Sequence, residues 1–133
     1  MSGVTTEHRL PAPSKWTHGL CWTVQVLVAV AFLATGGAKL VGAPLMVAVF
    51  DQVGIGQWFR YLTGAVEITG AVLILIPKAA ILGAALLACT MAVAVFTHLA
   101  VIGANPLPAA VLLSLNLLVL WLRQDEVSAR LAR

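Results

Sequence analysis

The sequence predicts an all-α fold: an integral membrane bundle of four antiparallel transmembrane helices, with a short extra helix between spans 1 and 2. Three observations predict it. Of 133 residues, 61% are hydrophobic and only 10% charged, against about 25% charged in a soluble domain. The apolar residues gather into four runs, each near the ~20 residues needed to cross a hydrocarbon core of ~30 Å. Proline and glycine punctuate the gaps between them.

Residues 1–15, MSGVTTEHRLPAPSK, are polar and proline-bearing without periodicity and are expected to form a disordered cytoplasmic tail. The first span runs from about Trp16 to Ala38. It exceeds the roughly 7–15 apolar residues of a secretory signal core, so a retained span is expected. In the connection that follows, Pro44 can open a short helix and Gly54 can close it. Leu45, Met46, Val49, Phe50 and Val53 repeat there at helical spacing, which suits a lid or gate on the outer end of the bundle.

The second span is Phe59 to Ile76, stopped by Pro77-Lys78. The third runs from Ala79 to about Val101, and the fourth from about Leu107 to Leu122 after the turn Gly103-Ala104-Asn105-Pro106. Such tight connections make neighbouring spans antiparallel. Residues 16–123 thus form one membrane domain, and residues 124–133 a second cytoplasmic tail. Small residues mark the packing faces: Ala80, Ala84, Ala88 and Ala92 in span 3, Ala34, Gly37 and Ala38 in span 1, and Gly64 and Ala71 in span 2.

With both termini inside, the inner face holds Arg9, Lys15, Lys78, Arg123, Arg130 and Arg133, and the outer face holds Lys39 and Arg60. The positive-inside rule favours that orientation. Trp16, Trp22, Trp58 and Trp121 fall near span ends, as interfacial anchors do. A formal charge of +3, with dispersed cations, gives no basic patch for nucleic acid. Cys21 and Cys89 lie in apolar surroundings with no CxxC and are expected to be buried free thiols.

The informative residue is Glu67, an acid near the middle of the second span. A charge at the bilayer centre costs roughly 2.5–3.5 kcal/mol on insertion scales, so it needs a partner, a proton or a task. Arg60 lies seven residues earlier on the same helix, about two turns, so both can point one way. Lys39 and Arg60 fall at the outer boundary, His98 a little below it, and Asn116 near mid-depth on span 4. On one reading Glu67 is tied to Lys39, Arg60 or His98, and the pair sets helix register. Lys39 and Arg60 equally suit headgroup contact, and Asn116 suits interhelical hydrogen bonding. On the other reading these groups form a polar pocket for a quinone-like or other amphipathic ligand, with the imidazole or carboxylate passing a proton. The chain has no metal-ligand spacing, phosphate loop or nucleophile triad, which argues against an enzyme acting alone.

Gly36-Gly37-Ala38-Lys39-Leu40, the short helix, Gly64-Ala65-Val66-Glu67 with Gly70, Leu73-Ile74-Leu75-Ile76-Pro77 and the alanine-rich third span ending at His98 together resemble the DoxX-like family over residues 20–123. The resemblance implies a four-span bundle in a bacterial cell membrane and marks Lys39 and Glu67. The family takes its name from the membrane part of a thiosulfate:quinone oxidoreductase. Some relatives are linked to membrane redox complexes, and others look like chaperones for receptor assembly. The resemblance therefore implies an accessory subunit of a redox or quinone-linked complex, working beside a membrane or redox protein or as a homo-oligomer. The alternatives are a non-catalytic assembly protein that grips partner helices and a proton-coupled small transporter.

Overall fold

A computed structural model describes residues 15–132, apart from the side chains at positions 126, 127, 129 and 130. The expected tail of residues 1–15 therefore lies outside the described residues, except for Lys15. Six α-helices follow in order: α1 Lys15–Val41, α2 Pro44–Val53, α3 Trp58–Ile74, α4 Ala80–Thr97, α5 Leu107–Leu122 and α6 Gln124–Leu131. A π-helical turn, His98–Ile102, extends α4. No strand occurs among the described residues.

Helix α1, of 27 residues, and α4 with its π extension, of 23, are long and apolar enough to cross a membrane. Only 33% of the apolar window of each is buried, whereas the core helix of a soluble protein would be covered nearly all round. The outward residues are large and apolar, among them Leu27, Val30, Leu82, Val93 and Phe96. Helices α3 and α5 are shorter, at 17 and 16 residues.

The most extensive packing joins α1 to α3, α4 to α5 and α3 to α4, with α5 also meeting α1. Phe32, Val28, Ile74, Leu87 and Val119 fill the core. Backbone proximity at two crossings explains the glycines. A Cβ on Gly64 would lie 3.0 Å from the Gly36 carbonyl oxygen, and one on Gly83 would lie 2.6 Å from the Ile74 nitrogen. Small residues at these points let the helices approach and gain dispersion contact, the main attraction available between helices in lipid.

The small-residue faces differ in detail from the sequence expectation. Gly36 makes the α1 contact while Gly37 has open space around it, and Ala92 turns outward although Ala80, Ala84 and Ala88 are buried. Successive helical positions differ by about 100°, so a one-residue change moves a group off the contact. Cys89 lies on the same outward side and is exposed, unlike the buried Cys21.

Pro44 opens α2, and Gly54, with φ of 83°, closes it by donating its N–H to the Phe50 carbonyl. That left-handed conformation strains any residue with a Cβ, so glycine suits the cap. Phe50 is buried and meets Phe59 at a 5.8 Å ring separation, while Leu45 points outward. The apolar face of α2 seats on α3, α1 and the π-helical turn. Residues 124–131, expected as tail, form α6.

Candidate functional site

The buried face of α3 carries Arg60, Gly64, Glu67, Gly70, Ala71 and Ile74, an i, i+3/i+4, i+7 series that turns both charged residues inward. Glu67 is 1% exposed. The Lys39 ammonium reaches it from the last turn of α1, with Nζ 3.1 Å from both carboxylate oxygens. Thr35, one turn earlier on α1, donates its hydroxyl to Oε2 at 3.0 Å. Spacing of four residues puts Thr35 and Lys39 on one side of the helix, and the Gly36–Gly64 approach brings that side against α3.

Arg60 is buried too, yet it does not bind Glu67 directly. Its Nη1 donates to the Lys39 carbonyl, its Nε donates to Gln57 Oε1 at 2.7 Å, and its guanidinium lies 4.3 Å from the centre of the Tyr61 ring. Gln57 Nε2 in turn donates to Asp51 Oδ1 at 2.7 Å and to the Val47 carbonyl at 3.1 Å. Arg60 thus stitches the end of α1 to the loop that holds α2. Neither Lys39 nor Arg60 extends to the surface as a headgroup anchor would: the Lys39 side chain is 12% exposed and Arg60 4%.

His98 and Asn116 stand apart from this cluster. His98 begins the π-helical turn, with Nδ1 2.7 Å from the Ala94 carbonyl. Asn116 is fully buried on α5 and donates Nδ2 to the Leu112 carbonyl at 2.8 Å, while its Oδ1 has no partner among the described residues. Among the candidates, the structure joins Lys39, Arg60 and Glu67 into one network and leaves His98 and Asn116 on their own helices.

A second polar cluster lies at the other end of α1, and its members were not candidates. Gln25 is fully buried. Its Nε2 donates to the Ile74 carbonyl at 2.6 Å, and its Oε1 accepts from Arg123 Nε at 3.0 Å, Arg123 Nη2 at 2.8 Å and Cys21 Sγ at 3.0 Å. This knot ties α1 to the last turn of α3 and the end of α5. A cavity of about 400 Å³ opens beside it, lined by Thr17, His18, Trp22, Pro77 and Arg123 among others. The detectable signal was Gln25 itself, an uncharged polar residue inside an apolar run.

Among the described residues there is no group of three or more His, Cys, Asp or Glu side chains able to hold a metal ion. The chemistry at Glu67 is that of a buried carboxylate paired with one ammonium and hydrogen-bonded by one hydroxyl. No curated protein and no solved structure matches the chain. The sequence model of the DoxX-like family matches residues 23–122, a stretch that holds α3 with Glu67, the Lys39 turn of α1, Gln25 and all of α5. This chain belongs to the DoxX-like family, and it is a helical membrane protein of that family.

Proposed function

We propose that this protein is a four-span antiparallel bundle with both termini on the cytoplasmic side. It serves as a non-catalytic accessory subunit of a membrane redox or quinone-linked complex, and its Lys39–Glu67 pair holds spans 1 and 2 in register. The observation that carries the register role is the closure of the cluster. Both Glu67 oxygens are engaged by Lys39 and Thr35 on a side chain that is 1% exposed. The cavity of about 400 Å³ is lined by none of Lys39, Arg60 or Glu67. A buried ion pair is a weak source of net stability but a strong penalty on any packing that separates its partners.

Antiparallel packing is supported by contacts that run in opposite chain order. Gln25 meets Ile74, Thr35 meets Glu67, and Lys39 meets Arg60; likewise Gly70 meets Leu87 and Gly83 meets Ile74. The orientation is supported by the charges. In that orientation six cations fall on the inner side and two on the outer, and those two, Lys39 and Arg60, are turned into the bundle. The redox setting is supported by the family alone.

The test is mild extraction of the tagged full-length protein from its native membrane, with mass spectrometry of what accompanies it. Parent protein is expected to carry a membrane redox subunit, and Glu67→Gln to lose it only in proportion to its loss of folded protein. A quinone bound to parent and absent from an equal amount of folded Glu67→Gln would overturn the register role. An unassembled receptor or immature subunit in place of a redox protein would move the reading to an assembly protein.

A further inference from the structure

At the end of the bundle that holds Lys39, a second charge is buried with no counter-charge beside it. Arg60 is 4% exposed. Among the described residues it makes no ion pair: Glu67 pairs with Lys39, and Asp51 is reached only through the Gln57 amide. Its acceptors are neutral oxygens of Lys39 and Gln57, and its Nη2 has no acceptor among the described residues. Taking an unpaired guanidinium out of water carries a large desolvation cost, so the closed arrangement holds a built-in bias towards opening. We propose that α2 is a hinged cover held shut over Arg60 by Gln57, and that its opening presents the Arg60 guanidinium at the surface.

Three features carry this. The first is how Arg60 is covered. A Cβ on Gly42, in the link from α1 to α2, would find Nη1, Nη2 and Cζ of Arg60 as its nearest heavy atoms, at 3.5, 3.7 and 3.8 Å. The backbone of that link therefore lies against the guanidinium, and the Tyr61 ring centre lies 4.3 Å from it. The second is how lightly α2 is attached. Of its ten residues only Phe50 is buried. Two hydrogen bonds tie it to the start of α3, and both come from Gln57, to the Val47 carbonyl and the Asp51 carboxylate. A segment with so few buried side chains opens more readily than the core it rests on.

The third is the pair of links. Gly42, with φ of 72°, and Gly56, with φ of 103°, stand on either side of α2. Glycine passes between positive and negative φ without a Cβ clash, and hinges are a few residues at element ends that absorb such changes. Gln57 is the catch because it serves both sides at once. Its Oε1 accepts from Arg60 Nε while its Nε2 holds α2. The cover depends neither on the redox setting nor on the register role of Lys39 and Glu67, so it stands or falls separately from both.

The experiment uses the full-length protein in nanodiscs, read by amide hydrogen exchange and by labelling with hydroxyphenylglyoxal, a water-soluble arginine reagent, each resolved by mass spectrometry. The α2 amides should exchange well ahead of those in the middle of α1 and α3, and Arg60 should be labelled while those helices stay protected. Gln57→Leu, which releases the catch, should speed both readouts by about tenfold at unchanged protection of α1 and α3. Arg60→Met keeps the side-chain length and removes the charge. It should slow α2 exchange, because the bias towards opening is gone, whereas loss of a guanidinium that only stitches the loop to α1 would speed it. Arg60 labelled only when the whole bundle unfolds, α2 amides as protected as those of α3, rates that Gln57→Leu leaves unchanged, or faster α2 exchange in Arg60→Met would each overturn the proposal.

Discussion

The two ends of α1 solve the same problem with different chemistry. At one end a full charge is buried and met by a full charge: Glu67 by Lys39, with Thr35 completing its oxygens. At the other a charge sits at the edge of the bundle and is met by a dipole, the carbonyl end of Gln25. The first arrangement is closed, since each partner neutralises the other. The second fixes the Arg123 guanidinium with two hydrogen bonds to Gln25 Oε1 and lies beside a cavity. The two knots thus differ in the group at their centre: an ion pair joins α1 to α3 in the first, and a neutral amide joins α1, α3 and the end of α5 in the second.

The largest expected effect comes from breaking the neutralised knot on one side. Glu67→Gln or Lys39→Met should lower stability by about 3–5 kcal/mol, because a buried charge is left without its counter-charge, whereas the double variant Lys39→Met/Glu67→Leu should return close to the parent. Thermal unfolding in one defined detergent measures both. A double variant as unstable as either single one would mean that the pair is worth more than its packing volume. At the dipolar knot, Gln25→Leu should cost about 1.5–3 kcal/mol, the range for hydrogen bonds to charged groups. The loss should be largest where α1 meets the end of α5, read as faster amide exchange there. Smallest of all is Asn116→Leu, which removes the buried Oδ1 that has no partner among the described residues. It should be neutral or stabilising within about 1 kcal/mol, and a loss beyond that would reveal a partner for Oδ1.

The two knots were not equally legible from the chain. An acid in the middle of an apolar run announces itself, because few states of a bilayer-depth carboxylate are tolerable, and Lys39 at the end of the preceding span was within reach on any antiparallel arrangement. Helical phase also brought Arg60 to the right face of α3. What counting could not supply was the direction in which side chains on other helices point. Depth alone placed His98 and Asn116 near Glu67, yet each bonds back to its own helix. Gln25 was passed over because a neutral amide raises no electrostatic alarm, and Arg123 because a cation at a span end looks like an ordinary topology signal. The punctuation of α2 by Pro44 and Gly54 was readable to the residue, since both act through local backbone geometry. The choice of Gly36 over Gly37 depends on the crossing of two helices and has no local signature.

The helices of this bundle are unequal, and a bilayer has to accommodate that. At 1.5 Å per residue, the 27 residues of α1 extend about 40 Å, while α3 and α5, at 17 and 16 residues, reach about 25 Å. No single lipid thickness matches both. A short hydrophobic element is met by local thinning and a long one by tilt, at fractions of a kcal/mol for each ångström of mismatch. In the four-span bundle proposed above, the α5 side of the protein should therefore pinch the surrounding lipid while α1 leans across it. Such a wedge favours thin membrane over thick, and would draw the protein toward neighbours whose short spans deform the bilayer in the same sense.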